Sequence, residues 1–314
     1  MDDGRTAISL LGIPLDLGAG DRGSVMGPAA LRIAGIPELL DDLGYRVTDH
    51  GDIAAPAPIA IELPDGAEAR CKHPGHIAAW TQAIHDRAHG VLKEGGKPIF
   101  LGGDHAMSMG TISAVARHCD EIGKALAVVW IDAHADYNTP ATSLSGNMHG
   151  MPLAFLTGEP SLRPLLGDRP FVPLVADKLV LLGLRSIDKA ERKALRDAHI
   201  QCVDMGMIDK FGVANMIEQV LYRIGGKNVH LHVSLDVDSL DPSVAPGVGT
   251  TVPGGLTYRE AHLMLEKLHE SGLVGSLDIV ELNPFLDHRG MSARVLAELT
   301  GSLFGQTILG TNPL

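Results

Sequence analysis

Six short apolar runs, separated by helix-like segments, constrain the fold of this chain more than any other feature of its sequence. Each run is rich in valine, isoleucine and leucine and lacks the alternation with polar residues that a strand exposed on one face shows. Strands of parallel sheets are buried on both faces and have this composition. The runs therefore predict a parallel sheet. Its expected strands are residues 8–15, 98–101, 126–131, 178–184, 229–235 and 277–280.

Helix-like segments occupy the intervals between these runs, as in proteins built from βαβ units. The clearest of them are residues 28–34, 77–94 and 256–271. At the start of the last segment, Thr257 and Glu260 have the spacing of a capping box. Neither an internal repeat nor a linker divides the chain. We therefore expect a single domain, residues 1–314, of the α/β class with three α/β/α layers around a mostly parallel sheet.

The charge of the chain narrows its possible partners. It has 38 acidic and 26 basic residues, a formal net charge of −12. Nucleic acids and anionic membranes repel such a chain, so small molecules and cations are the expected partners. No apolar stretch is long enough to span a membrane, and the first residues do not resemble a signal peptide. Three widely spaced cysteines do not suggest a disulfide framework, so a cytoplasmic location is expected.

Carboxylates and imidazoles follow three of the predicted strands, at the point where each strand ends. The carboxyl ends of parallel strands meet at one edge of a sheet, where α/β proteins bind their ligands. Residues two apart in an extended segment also point to the same side. We therefore expect these side chains to converge. They are His105 after the second run, Asp132, His134 and Asp136 after the third, and Asp236 and Asp238 after the fifth.

Four carboxylates in one buried pocket would repel each other without cations. Six protein ligands are too many for one tetrahedral zinc ion and suit two octahedral ions that share carboxylates. An oxygen-rich set with one imidazole per ion favours Mn²⁺, and two such ions would supply a hydroxide nucleophile at neutral pH. The alternative is that each aspartate only caps the helix that follows it. Three such motifs together make that alternative weak.

The motifs resemble those of the ureohydrolases, the binuclear manganese hydrolases of guanidino compounds. The matching stretches are GGDHAMSMG, WIDAHADYNTP, SLDVDSLDPSVAPGVGT and GLTYREAH. Segment 136–150, DYNTPATSLSGNMHG, is similar to the arginase signature between the metal cluster and the amino-acid end of the substrate. The resemblance extends from residue 10 to about residue 304. It implies an eight-stranded sheet of the kind shared with deacetylases, and assembly as a homotrimer or homohexamer.

The resemblance also implies roles for individual residues. His105, Asp132, Asp136 and Asp236 bind or bridge one Mn²⁺ ion, and His134, Asp132, Asp236 and Asp238 serve the second. His149 donates or shuttles a proton to the leaving amine, and Thr250 lies near the guanidinium group. The implied catalytic residues are His149, Glu281 and Asp136.

Residues that could recognise arginine are present in the right chemical classes. Glu281 follows the sixth predicted strand, where its carboxylate could pair with a guanidinium group. Asp188, with Glu191 nearby, could bind the α-ammonium group. Neutral donors for the α-carboxylate are Asn138, Ser143, Ser145 and Asn147. Each has a plainer alternative: a strand-end salt bridge for Glu281, a helix N-cap for Asp188, and an ordinary polar loop for the neutral donors.

The sequence as a whole predicts hydrolysis of L-arginine to L-ornithine and urea. Agmatinase or another guanidino hydrolase is the nearest alternative, because the segment APGVGTTVPGG is closer to those enzymes. A non-catalytic manganese-binding regulator of the same fold is the alternative from another class. Ala106, where the family often has serine, and Ser186, where many arginases have aspartate, depart from the pattern. Deacetylase activity is disfavoured because no paired His-His motif is present.

Overall fold

The centre of the protein is a single sheet of parallel strands. The computed structural model describes residues 4–226 and 228–308. In this part of the chain, all strand pairs of the eight-stranded sheet are parallel. The strands are β1 (Ala7–Ile13), β2 (Arg46–Asp52), β3 (Lys97–Gly102), β4 (Ala125–Ile131), β5 (Leu179–Leu184), β6 (Gln201–Asp204), β7 (Val229–Asp236) and β8 (Val274–Val280).

The order of the strands across the sheet is β2-β1-β3-β8-β7-β4-β5-β6. The prediction of a parallel sheet is confirmed, and each of the six apolar runs forms a strand. The sequence runs did not predict β2 and β6, which are the two edge strands. Edge strands are partly exposed to solvent and can therefore contain polar residues. Strand β2 has the polar sequence RVTDHGD, so it does not appear as an apolar run in the sequence.

Helices cover both faces of the sheet and complete three layers. They are α1 (Gly27–Ile33), α2 (Ile36–Asp42), α3 (Pro74–Glu94), α4 (Ser108–Glu121), α5 (Pro152–Leu156), α6 (Lys189–Asp197), α7 (Met205–Phe211), α8 (Val213–Ile224), α9 (Tyr258–Glu270) and α10 (Met291–Leu303). The apolar sides of α1, α2 and α7–α10 pack on one face. Helices α3–α6 pack on the other face. Among the described residues, every helix is too short or too polar to cross a lipid bilayer.

Strand β4 shows why its sequence is apolar without alternation. Val129 and Ile131 belong to the core beneath α7–α10, whereas Val128 and Trp130 belong to the core beneath α3–α6. Both sides of the strand are therefore removed from water, which stabilises the fold by about 25 cal/mol for each Å² of apolar surface buried. The predicted three-layer α/β/α class follows from this double burial.

The predicted helix boundaries are close to those observed. Segment 28–34 is α1, and segment 256–271 is α9. At the N-terminus of α9, the Glu260 carboxylate accepts hydrogen bonds from the backbone N–H and the hydroxyl of Thr257, at 2.9 and 2.8 Å. This confirms the predicted capping box. Segment 77–94 is α3, which begins earlier, at Pro74.

The carboxyl end of β3 passes unusually close to the segment that follows β1. The amide of Gly103 donates to Ile13 O at 2.9 Å, and the amide of Asp104 donates to Leu15 O at 2.7 Å. A Cβ atom at Gly103 would lie 1.7 Å from Leu15 O, so only glycine fits there. This close approach leads the chain directly into His105.

Candidate active site

Four neighbouring strands, β3, β8, β7 and β4, deliver the polar side chains of the site at their carboxyl ends. His105 follows β3, Glu281 follows β8, Asp236 ends β7 and Asp132 follows β4. These strands are consecutive in space although they are not consecutive in the sequence. The convergence that parallel strand ends predict is therefore observed.

One half of the cluster surrounds the imidazole of His105. Its Nδ1 atom lies 3.2 Å from Asp132 Oδ2 and 3.0 Å from both Asp136 Oδ2 and Asp236 Oδ2. Its Nε2 atom is 2.9 Å from the hydroxyl of Ser234, and its ring stacks on Trp130 with centroids 3.9 Å apart. The ring is thus fixed on one side and presents Nδ1 to three carboxylates.

The other half of the cluster surrounds His134. Its Nδ1 atom lies 2.9 Å from Asp238 Oδ2 and 3.5 Å from Asp132 Oδ1. Backbone amides hold the carboxylates: His134 N donates to Asp132 Oδ1 at 2.6 Å, and Ala133 N donates to Asp238 Oδ1 at 3.1 Å. The ligand atoms of two groups, His105–Asp132–Asp136 and Asp132–His134–Asp238, are mutually close enough to hold a metal ion. Asp132 belongs to both groups.

The carboxylates and imidazoles of the cluster suit divalent cations, because the buried carboxylates repel each other. Asp132, Asp236 and Asp238 are at most 2% exposed. Burial raises the pKa of Asp236 well above its usual value, and the charges of Asp238 and Asp132 raise it further. His105 Nδ1 is buried and has no hydrogen-bond partner in the described part of the chain, although three carboxylate oxygens face it. Cations would satisfy this atom and offset the repulsion between the carboxylates.

Glu281 and His149 form a pair beside the cluster. Oε1 of Glu281 accepts a hydrogen bond from the backbone amide of His105 at 2.8 Å and lies 2.9 Å from His149 Nδ1. Burial alone would lower the pKa of His149, but the charge and hydrogen bond of Glu281 outweigh it and raise the pKa to about 9. Burial raises the pKa of Glu281, but the charge and hydrogen bond of His149 and the hydrogen bond from the His105 amide together outweigh it, so this pKa lies below its usual value.

Most of the residues predicted for the site line one polar cleft of about 650 Å³, measured with its open mouth. Those lining it are His134, Asp136, Asn138, Ser145, His149, Asp188, Glu191, Asp236, Asp238, Thr250 and Glu281. His105 and Asp132 are buried beneath the floor, each 1% exposed. The candidate substrate-binding residues thus form the wall of the cleft, and the carboxylate cluster forms its floor.

The two remaining predicted residues lie outside this wall. The hydroxyl of Ser143 accepts a hydrogen bond from Gly146 N at 3.0 Å and shapes the loop. The amide oxygen of Asn147 accepts from Lys72 Nζ at 2.8 Å, and Asn147 lines a neighbouring cavity instead. The sequence spacing alone could not show that the loop turns these two side chains away.

The other candidate substrate residues are joined to each other. The Asn138 amide donates to Asp188 Oδ2 at 3.2 Å, and Glu191 accepts from the backbone amides of Asp188 and Tyr137 at 3.1 and 3.0 Å. Burial raises the pKa of Glu191 to about 7, although these two hydrogen bonds oppose the rise. Asp188 precedes α6 as its N-cap residue, as the plainer alternative predicted, and also faces the cleft.

Thr250 and Ser186 complete the wall of the cleft. The hydroxyl of Thr250 donates to Asp238 Oδ2 at 3.1 Å, so it is linked to the cluster. Ser186 lines the cleft next to Asp188. A serine in place of aspartate at 186 removes one negative charge from the wall. Ala106 is buried, and its amide donates to Asp104 Oδ1 at 3.0 Å.

Sequence reasoning assigned no role to several residues that support the site. Asp104 is fully buried, and its Oδ2 accepts from the amides of Gly18 and Ala19 at 2.7 and 3.2 Å. Burial and the charge of Glu281 raise the pKa of Asp104 to about 7. Its position in the GGDH motif was the available signal. Ser234 had a weaker signal, its place two residues before Asp236.

The fold and the cleft together define a metal-dependent hydrolase with a carboxylate-rich centre at the carboxyl edge of a parallel sheet. A family model described as "Arginase family" matches residues 6–305. The chain belongs to the arginase family. It is therefore an enzyme that hydrolyses amidine C–N bonds, as the sequence resemblance implied.

Individual relatives agree with this assignment. An arginase from Brucella melitensis is 45% identical over 300 residues, which cover 96% of each chain. The solved structure of arginase from Bacillus caldovelox superposes with a TM-score of 0.87 at 40% identity and covers 96% of this chain and 99% of that one. The structure of an Entamoeba histolytica arginase in complex with L-ornithine is 26% identical with a TM-score of 0.83, covering 96% and 99%.

Proposed function

We propose that this chain is an arginase that hydrolyses L-arginine to L-ornithine and urea in the polar cleft. One observation carries the proposal. The same cleft has the carboxylate cluster on its floor, Glu281 beside that cluster, and Asn138, Asp188 and Glu191 on its wall. A guanidinium group at Glu281 would place the α-amino acid end of arginine toward these wall residues. The names of the relatives, including the Entamoeba histolytica arginase with L-ornithine, support this choice of substrate.

The six residues of the cluster would hold two Mn²⁺ ions. His105, Asp132, Asp136 and Asp236 would bind one ion, and Asp132, His134, Asp236 and Asp238 the other. The two close groups that share Asp132 support this count, and the oxygen-rich donor set supports the choice of Mn²⁺. When bound, such ions supply Lewis acidity and lower the pKa of water near them.

Glu281 would bind and orient the guanidinium group. Its Oε1 atom already accepts a hydrogen bond from the His105 amide and lies within hydrogen-bond distance of His149 Nδ1. Its Oε2 atom has no hydrogen-bond partner among the described residues. Oε2 is therefore available to accept an N–H of the substrate in a charge-assisted hydrogen bond. The positive charge of the guanidinium group would replace part of the charge that His149 now provides.

His149 would donate the proton that the leaving amine of ornithine requires. A pKa of about 9 keeps the imidazole protonated at neutral pH. Its Nδ1 faces Glu281, while Nε2 makes no hydrogen bond to the described part of the chain. The proton on Nε2 is thus the one that can be transferred to substrate. Asp136, which also faces the cleft, adds to the negative field that keeps this proton in place.

Recognition of the α-amino acid end would separate arginine from agmatine. Both substrates carry a guanidinium group and an amine, but only arginine has an α-carboxylate. Of the four neutral donors predicted for this carboxylate, Asn138 and Ser145 line the cleft, and Asp188 and Glu191 offer carboxyl groups to the ammonium group. Ser143 and Asn147 would act through the loop that carries these donors.

We also propose that residues 1–314 form one domain and that the chain assembles as a homotrimer or homohexamer in the cytoplasm. The single sheet supports the first statement. The resemblance to arginases supports the second. The three cysteines are free thiols, in keeping with a reducing compartment. Light scattering of the purified chain would measure the mass of the assembly.

The experiment that tests the proposed function is a comparison of urea release from L-arginine and from agmatine. Both assays use the same metal-free chain, with and without added Mn²⁺. We expect rapid release from arginine with Mn²⁺, little without it, and at least roughly hundredfold lower kcat/KM for agmatine, because two unmet buried donors cost about 1–3 kcal/mol each. Equal turnover of agmatine would instead identify an agmatinase.

A further inference from the structure

A second cavity adjoins the cleft on the side away from the amino-acid end. It has a volume of about 480 Å³ with its mouth, and it is lined by the loop of residues 19–24 and by Asn147 and Asn283. The cavity and the cleft share His149, Thr250 and Glu281. The residues proposed to hold the α-amino acid, Asn138, Asp188 and Glu191, line the cleft alone. The two spaces therefore meet where the guanidinium group would react.

The wall of this cavity is held in place by specific contacts. Asp104 Oδ2 accepts hydrogen bonds from the amides of Gly18 and Ala19 at the start of the loop. Buried Asp16 accepts from the amide of Gly23 at the other end, at 3.2 Å. Both anchoring carboxylates are at most 3% exposed. The loop is thus fixed around the cavity at both of its ends.

Two residues that line this cavity, Ser24 and Glu281, have unpaired polar atoms. Ser24 is 2% exposed, and its Oγ atom is buried without a hydrogen-bond partner in the described ranges. A buried hydroxyl without a partner costs about 1–3 kcal/mol, so a ligand in the cavity that accepts a hydrogen bond from Ser24 would be stabilised. The same wall contains Glu281, whose Oε2 atom is unpaired among the described residues.

Lys72 determines which end of the Asn147 amide is free. A lysine ammonium group can only donate, so the amide oxygen must face Lys72 Nζ, at 2.8 Å. The NH₂ group then faces the loop, where a Cβ added at Gly20 would lie 3.0 Å from Asn147 Nδ2. The cavity wall therefore has two donors, the Ser24 hydroxyl and the Asn147 amide, and one acceptor, Glu281.

We propose that this cavity is a binding site for urea that is separate from the site of the amino-acid product. The inference rests on the proposed function. Urea is small, neutral and planar, with one carbonyl acceptor and four N–H donors. Its carbonyl would accept from Ser24 and Asn147, and its N–H groups would donate to Glu281. Ornithine, a cation with an α-amino acid end, remains in the cleft beside Asn138 and Asp188.

The arrangement has a kinetic consequence. Urea can leave through the cavity mouth, where Gly20 and Asp21 are exposed, while ornithine still occupies the cleft. The enzyme then binds ornithine and urea at the same time, and the products leave in either order. If urea and ornithine instead shared one binding site, the two products would compete for the enzyme.

A double-inhibition experiment on the Mn²⁺-loaded wild-type chain tests this directly. Initial rates of arginine hydrolysis, followed by ornithine formation in some series and by urea formation in others, are measured over a grid of added urea and ornithine. We expect intersecting lines in a plot of reciprocal rate against urea at several ornithine concentrations, since both products bind together. Parallel lines, the result of mutually exclusive binding, would overturn the proposal.

Substitution of Ser24 locates the site. Ser24→Ala should raise the inhibition constant of urea about five- to tenfold, the effect of one lost hydrogen bond, and leave that of ornithine within about twofold of wild type. Thr81→Val is a matched control, because Thr81 also has a buried unpaired hydroxyl but lines neither space. An unchanged urea constant in Ser24→Ala would contradict the assignment.

Direct binding separates this proposal from the proposed function. Saturation-transfer NMR of urea on the Mn-free chain, in which Mg²⁺ replaces the paramagnetic ion, needs no turnover. Binding that is weakened in Ser24→Ala but not in Thr81→Val supports the cavity even if arginine is not hydrolysed. Failure of the wild-type chain to release urea from arginine would refute the proposed function, whereas absence of urea binding would refute the cavity site.

Discussion

Asp136 and Glu281, which face the proposed reaction from two sides, both have left-handed backbones, with φ of 47° and 65°. Such conformations cost about 1–3 kcal/mol each for residues other than glycine and persist only where the surroundings hold them. Here the amide of Leu153 donates to Asp136 O, and the amide of Glu281 donates to Gly103 O at 2.7 Å. The strain is thus retained at the two positions where a carboxylate must point into the cleft.

At Glu281, we expect Glu281→Gln to lower kcat/KM for arginine by roughly two hundredfold to five thousandfold. The substitution keeps the shape and the hydrogen bond from the His105 amide but removes the buried charge that we propose to pair with the guanidinium group, a loss of about 3–5 kcal/mol. Steady-state kinetics with arginine measures the effect, and the melting temperature should change little.

The surface substitution Glu121→Gln is the control for this experiment, because Glu121 pairs with His89 and Arg117 on the exterior. It should leave kcat/KM unchanged. If Glu281→Gln retained wild-type kcat/KM, Glu281 would not be the guanidinium anchor.

At Asn138, we expect Asn138→Ala to lower the ratio of kcat/KM for arginine over agmatine by about tenfold, since one proposed donor to the α-carboxylate is lost. Kinetics with both substrates measures the ratio. Asn215→Ala removes an exposed asparagine on α8 and serves as the control. A ratio that stays at the wild-type value in Asn138→Ala would remove Asn138 from carboxylate recognition.

At the scale of elements, the ends of four central strands account for most of what could be predicted from the sequence. Buried parallel strands have continuous apolar sequences, and the polar residue that ends each run must then lie at the edge of the sheet. His105, Asp132 and Asp236 are predictable in this way. Strand β2 is not, because its exposed position permits a polar sequence, and neither is the Lys72–Asn147 contact, which joins residues 75 positions apart.

The packing of α3 on α4 makes stability depend on pH through His85. His85 is fully buried, and its Nδ1 lies 2.9 Å from the Ser113 hydroxyl. Burial lowers its pKa to about 4. Between pH 6.5 and 4 the unfolded chain therefore binds a proton that the folded chain does not, and the contribution of neutral His85 to stability is lost as the pH falls through this range.

From this we expect wild type to lose about 1–2 kcal/mol more unfolding free energy than His85→Leu between pH 7 and pH 5. Denaturation of both metal-free chains with guanidinium chloride measures the unfolding free energy at each pH. Without metal, the contribution of the carboxylate cluster to this free energy is the same in both chains. Equal losses in the two chains would show that His85 does not titrate between the folded and unfolded states.

At the scale of the whole molecule, the cluster links metal binding to folding. Asp132, His134, Asp236 and their neighbours come together only in the folded sheet, so ions held there stabilise it. We expect a chelator to lower the melting temperature by roughly 5–15 °C, from about 4 kcal/mol per site at a thousandfold excess of ion over Kd. Differential scanning calorimetry with and without chelator measures the shift.

The variant Asp132→Asn provides the contrast for this measurement, because Asp132 belongs to both halves of the cluster. Its melting temperature should respond much less to the chelator than that of wild type. A wild-type melting temperature that is indifferent to chelation would show that the cluster does not hold its ions in the folded state.

We propose that the carboxylates and imidazoles at the edge of the sheet form a single catalytic centre for two metal ions. Titration of the metal-free chain with Mn²⁺, followed by urea release from L-arginine, measures it most directly. We expect negligible activity at the start and a linear rise that ends at two ions per chain. Full activity without added metal, or a break at one ion per chain, would contradict it.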